Sequence, residues 1–354
     1  MVEQSKISEL LALTLERHAS DLHLVSGYAP TLRVDGELVP VDSGVLTHEA
    51  LMQYLESVMT ADQLSTFVAN KELDFSVSQY ASARFRVNVY TQRGTVAAAF
   101  RAIPQQIPTI DGLGLPPVLH QFATLRQGFI LVTGPTGHGK STTLAAILDE
   151  INTNRGEHIV TIEDPIEFVF SQKRSLVSQR EMGLDSHSWP VALRSVLRED
   201  TNVVLIGEMR DHETIASALT IAETGHLVFA TLHTNSAAQT IDRIVDVFPE
   251  EQQDQVKLQL SNVLAAVFSQ RLVPTIGGGR TPAYELMTAS SAIKNTVREG
   301  KTHQIDSIIQ TSSDVGMSLI ENSLAELVKA GKVEPDVAMS YTLRPDQLSR
   351  LITK

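Results

Sequence analysis

The run GFILVTGPTGHGKST, Gly128 to Thr142, decides how this chain is read. Its first half is a short continuous apolar stretch, the pattern of a strand buried on both faces. Its second half, GPTGHGKST from Gly134 to Thr142, fits G-x-x-x-x-G-K-[ST], and the TTLAAILDEI that begins inside it reads as a helix. Strand, glycine loop and helix in that order make a phosphate cradle. Gly134, Gly137 and Gly139 carry no side chains, so backbone N–H groups can wrap an anion while the helix N-terminus adds its partial positive charge. Lys140 is placed to reach the β- and γ-phosphates and Ser141 to ligate magnesium, with Pro135, Thr136, His138 and Thr142 completing the loop. His138 occupies a variable position, and its ring is expected to point to solvent.

Three further apolar runs repeat the first: HIVTIED from His158, NVVLIGE from Asn202 and HLVFATL from His226, with helical patterns between them. Such alternation belongs to a parallel α/β sheet, where ligands sit at the carboxyl ends of the strands. That rule gathers four strand ends into one site. VVLIGEMRD, Val203 to Asp211, is an apolar strand ending in Glu208, where proteins with this loop hold the magnesium shell; a glutamate, one methylene longer than aspartate, favours contact through a water. HIVTIEDPIEF, His158 to Phe168, ends in Glu163 and Asp164, and a carboxylate at that tip can serve as general base towards water. His233 closes the last run at its C-terminal end, within reach of a γ-phosphate. His226 opens it, roughly 23 Å away along an extended strand and, at an odd offset, on the opposite face. The two histidines cannot chelate one ion together, so His226 is left with packing, a hydrogen bond or contact across a subunit boundary.

The 354 residues are 42% hydrophobic, enough for two or three domains with cores of their own. A formal charge of −12 disfavours a broad basic grip on nucleic acid, and no nucleic-acid partner is expected. The chain has no cysteine, which removes disulfides, thiolate catalysis and any cysteine-based zinc site. Near the N-terminus, SKISELLALTLERH sets Lys6, Glu9 and Glu16 among apolar residues, an amphipathic helix and not a signal peptide. No run approaches the ~18 apolar residues of a membrane span. A cytoplasmic location is expected, with any membrane association through a partner.

Domain boundaries follow from changes of pattern. From Asp21 to Val41 the chain alternates apolar and polar residues around the turn signals Ala29-Pro30 and Asp35-Gly36. The stretch HEALMQYLESVMTADQLSTFV reads as helical, and alternation resumes in ELDFSVS, ARFRVNVYTQRG and TVAAAFRAI, giving a small α+β domain over residues 1–103. A proline- and glycine-rich linker covers 104–117 and the α/β domain 118–354. From about residue 250 the last part reads as mostly helical: EEQQDQVKLQLSNVLAAVFSQRLV as a helix, then a turn at Gly277-Gly278-Gly279, then more helices.

With these residues in hand the chain resembles the PilT-type retraction ATPases of bacterial type IV pili, within the secretion-type AAA+-like ATPases. The resemblance rests on GPTGHGKST, with histidine where the family usually has serine, and on IEDPIEF, GEMRD and TGHLVFATLHT as Asp box, atypical Walker B and His box. The flanking ASDLHL, RVDGELVPV, ARFRVNVYTQRG and DRIVDVFP add to it. It implies an α/β fold: a RecA-like P-loop ATPase core with a small N-terminal α+β PAS-like domain and C-terminal helices. It also implies ATP and Mg2+ as ligands and a homo-hexameric ring whose partners are an inner-membrane pilus platform protein and other pilus ATPases. Arginines of the N-terminal domain would approach the phosphates, and the matching positions are Arg84 and Arg86, which alternation puts on one strand face. Arg194 and Arg198, four apart in a helical pattern, are weaker candidates on a shared face. The family's AIRNLIRE motif stands here as AIKNTVRE, Ala292 to Glu299. Lys294, Thr296 and Val297 depart from it, which opens the alternative of an accessory, PilU-like ATPase; a nucleic-acid translocase on the same core is the rival from another class.

Overall fold

The computed structural model describes residues 4–34, 36–41, 44–80, 83–103 and 106–353; Asp35 of the predicted turn and Pro104 of the predicted linker lie outside them. The chain divides into two compact units, Met1–Gln106 with Glu167–Val169, and Ile107–Ile166 with Phe170–Lys354.

The first unit is built on strands β1 (Asp21–Val25), β2 (Thr31–Val34), β3 (Glu37–Pro40), β4 (Glu72–Tyr80), β5 (Ala83–Gln92) and β6 (Thr95–Ile103). They form one antiparallel sheet in the order β3-β2-β1-β6-β5-β4. Period-2 alternation decides its faces: Phe85, Val87 and Val89 of β5 are buried with Phe100, Leu22 and Leu24 against Ile7, Leu11, Leu51 and Leu55 of the flanking helices. Each side chain so buried contributes about 1.5–3 kcal/mol. The helical stretch after β3 is two helices, His48–Val58 and Ala61–Asn70. A capping box separates them: Thr60 accepts from the Gln63 amide, and the Gln63 side chain accepts from the Thr60 N–H.

The second unit carries β7 (Gly128–Thr133), β8 (His158–Glu163), β9 (Leu176–Glu181), β10 (Val203–Ile206), β11 (Leu227–Leu232), β12 (Leu264–Pro274) and β13 (Arg280–Thr288). Their order is β13-β12-β7-β11-β10-β8-β9, parallel except for β13. The continuous apolar runs are explained by two cores, one on each face. Leu131, Val160, Ile162, Val204, Ile206, Val228 and Ala230 point into one; Ile130, Val132, Ile159, Val203, Leu205, Leu227 and Phe229 point into the other.

The region after residue 250 corrects the sequence reading. The helix Glu250–Val263 stops where a longer one was expected, and LAAVFSQRLVP forms β12 beside β7. Leu264, Ala266, Val267 and Phe268 are buried there, and a short apolar run of this kind does not distinguish a buried helix from a central strand. The glycine turn joins β12 to β13 as a hairpin instead of interrupting helices. Edge strand β9, the polar LVSQRE, was not anticipated because it lacks the apolar pattern. No helix among the described residues is long and apolar enough to cross a membrane.

Candidate nucleotide site

Parallel register puts the ends of four strands at one rim. Ile162 pairs with Ile206, Ile206 with Ala230 and Ala230 with Leu131, so Glu163, Glu208, His233 and Gly134 all lie just past the same level. Gly134 leaves β7 at a φ of +141°, and a Cβ there would stand 2.2 Å from the Gln270 carbonyl oxygen, so only glycine lets the loop pass β12. Gly139, left-handed at φ 81°, caps the helix Lys140–Asn154 and aims its first amides into the loop.

Lys140 is buried. Its ammonium donates to the Gly134 carbonyl at 2.8 Å and the Pro135 carbonyl at 3.0 Å, and lies 3.4 Å from His233 Nδ1. Thr136 Oγ1 meets the same ring nitrogen at 3.3 Å, while His233 Nε2 is 3.0 Å from Glu208 Oε1. An ammonium has only donors to offer, so this arrangement suits a ring carrying its proton on Nε2. Arg210 Nη2 donates to Glu208 Oε2 at 2.8 Å. Burial pushes the Glu208 carboxyl up, but the Arg210 hydrogen bond and the charges of His233, Arg210 and Lys140 outweigh it, leaving the group below the usual carboxylate range. Asp211, the other acid of this motif, caps the helix His212–Glu223 through the Thr214 amide at 2.8 Å.

Glu163 is buried at the tip of β8, accepting from Thr161 Oγ1 at 2.7 Å and from Gln179 Nε2 at 3.4 Å. Two strands stand between β8 and β7, a lateral offset of about 14 Å. Glu163 therefore stands at the same rim, displaced sideways from the loop. Thr136 and Gly137 are exposed and Ser141 and Thr142 half-buried at the loop's exit. Arg84 and Arg86 sit in the first unit, on the half-buried face of β5 as alternation requires. Arg86 lies directly across from Arg101 of β6, which is paired with Asp21 at 2.8 Å. The helix bearing Arg194 ends at Val196, so Arg198 falls in the following turn and the shared helical face is not formed.

Of two further histidines, His138 departs from expectation and His226 takes one of the roles left open to it. His138 does not point to solvent: its Nδ1 accepts the Leu272 amide at 2.9 Å and its ring centroid is 6.4 Å from that of Tyr341. Burial, then the charges of Arg271, Arg280 and Lys140, hold its pKa below the ordinary 6.5. His226 takes the hydrogen-bonding role, donating from Nδ1 to the Ile221 carbonyl at 3.0 Å, with Thr224 Oγ1 at 3.0 Å.

Sequence reasoning missed the clamp that fixes the loop. Gln270 of β12 donates to the His138 carbonyl at 2.9 Å and accepts from Thr143 at 2.6 Å, and Arg280 reaches the Gly137 carbonyl at 3.3 Å. Reading β12 as helix hid these residues. No local signal announces them.

The family model described as type II/IV secretion system protein matches residues 3–313. The chain belongs to this family, among its PilT-type ATPases. It is 47% identical over 340 residues to the type IV pilus retraction ATPase PilT of Pseudomonas aeruginosa, covering 96% of this chain and 99% of that one. To the type IV pilus ATPase PilU of the same organism it is 36% identical, covering 98% and 91%. The crystal structure of the pilus retraction motor PilT with bound ADP superposes with a TM-score of 0.91 at 46% identity, over 98% of this chain and 99% of that chain. The α/β P-loop core and the smaller α+β unit are thus those of a secretion-type ATPase.

Proposed function

We propose that this PilT-type ATPase is a Mg2+-dependent ATP hydrolase working as a homo-hexameric ring in the cytoplasm, coupled to an inner-membrane pilus platform, where it drives type IV pilus retraction by pilin depolymerisation. The observation that carries the reading is the continuous linkage Lys140–His233–Glu208 at the strand tips. In the sequence of events we assign, Lys140 leaves the Gly134 and Pro135 carbonyls for the β- and γ-phosphates, and the loop amides of Gly134 to Thr142 hold the rest. His233 then exchanges its contact with Lys140 for the γ-phosphate, an acceptor that Nδ1 can meet only by donating a proton of its own, and reports it to Glu208 through Nε2. Glu163 takes the proton of the attacking water.

Ser141 and Glu208 offer a hydroxyl and a carboxylate, the oxygen donors magnesium accepts, and leave most of its shell to phosphate and water. Magnesium held by these two residues would supply charge neutralisation for the phosphates. Arg84 and Arg86 are assigned to the same phosphates from the N-terminal unit.

The accessory, PilU-like reading draws on Thr296, which stands buried on the packed side of helix Ser291–Arg298 beside Ile293 and Val297. Greater identity to PilT than to PilU supports the main motor instead. Deleting the gene and scoring piliation and twitching tests the choice. Hyperpiliated, non-twitching cells are expected; cells that still twitch contradict the main-motor reading. ATP turnover stimulated by DNA or RNA would favour the translocase reading.

A further inference from the structure

One row of the sheet is polar where its surroundings are apolar. Thr133, Ser269 and Glu285 are in lateral register on β7, β12 and β13, all nearly or fully buried, and the Thr133 and Ser269 hydroxyls are 2.7 Å apart. The row begins at the residue before Gly134 and ends at a carboxylate with no exposed surface. Glu285 Oε1 accepts the Ala237 amide at 2.7 Å. Ala237 is the first residue of the helix Ala237–Asp246, four positions beyond His233. Between them the hydrogen bonds among the described residues are local: Thr234 with Thr240, Gln239 on the Asn235 amide and Ser236 as the cap. Glu285 thus ties the far end of the His233 loop to the sheet, as β11 ties its near end.

The other oxygen, Oε2, is buried without a hydrogen bond and faces Arg344 Nη1 at 3.7 Å. Arg344, just before the last helix, also donates to Glu321 Oε2 at 2.8 Å and to Asp306. One carboxylate therefore touches both the turn after His233 and the C-terminal helices.

We propose that Glu285 is a positioning residue for ATP hydrolysis: through the Ala237 amide it fixes the reach of His233, and through Arg344 it makes that reach depend on the C-terminal helices. The proposal rests on the assignment of His233 to the γ-phosphate. Displacing a catalytic group by about 1 Å costs up to ~100-fold in rate, so the loss of this anchor is expected to lower turnover while leaving the diphosphate site intact.

The test uses the full-length protein, measuring kcat for Mg-ATP and ADP affinity. Glu285→Leu removes the acceptor, and Ala237→Pro removes the donor at a helix position that tolerates proline, so the same bond is broken from either end. Either variant, whichever folds, is expected to lower kcat ~10-fold or more with ADP affinity within about twofold. Glu285→Gln, which keeps an acceptor, is expected to restore most of the rate. Added to His233→Ala, the anchor variants are expected to cost nothing further. Two results overturn the proposal alone: His233→Ala is slow while both anchor variants turn over at the wild-type rate, or their costs multiply with that of His233→Ala. Wild-type turnover by His233→Ala removes the assignment of His233, and the proposal with it.

Discussion

His138 shows how far one side chain can depart from its position in a motif. Read as a variable loop residue it belongs in solvent; in the fold it is a hydrogen-bond acceptor for β12, because that strand passes close enough to Gly134 to offer the Leu272 amide. Its folded pKa lies below 6.5, so its contribution to stability is complete above that pH and is lost as pH falls through the lower folded value. Wild type is expected to lose stability in mild acid more steeply than His138→Ser, measured as urea midpoints across pH; parallel curves would contradict the inward contact. Lys140, Glu208 and His233 were legible because each is fixed by its own strand and loop. Gln270 and Arg280 were not, since what makes them useful is a neighbour more than a hundred residues away.

Among the elements, the four central strands were legible for a physical reason: burial on both faces forces an uninterrupted apolar run, and no amphipathic helix imitates it. β12 carried the same signal but followed directly on the helix Glu250–Val263, with no turn residue to mark the change. Its partner β13 brings Glu285 into the core, where burial outweighs the Ala237 hydrogen bond and the Arg344 charge and, with Asp306 and Glu321 adding repulsion, pushes the carboxyl up to about 7. A raised pKa gives stability that is complete below the unfolded value near 4.5 and lost as pH rises through about 7. Glu285→Gln, neutral throughout, is expected to gain on wild type by up to about 3 kcal/mol between these limits. Chemical melts at pH 4.5 and 8 check this; a constant difference contradicts the buried charge.

For the whole molecule, the account requires both units, because the N-terminal arginines and the strand tips are assigned to one triphosphate. Arg84→Ala is expected to keep the wild-type assembly state by mass photometry yet lose ATP turnover ~1,000-fold, the low end for a supplied arginine. Full activity would make Arg84 structural. The central claim, that four parallel-strand ends gather around ATP with Glu163 as base, is tested most directly by ATP binding and turnover in Glu163→Gln. The account predicts wild-type affinity for Mg-ATP with turnover slower by at least ~100-fold. Turnover near that of wild type, or a loss of ATP binding in step with activity, would contradict it.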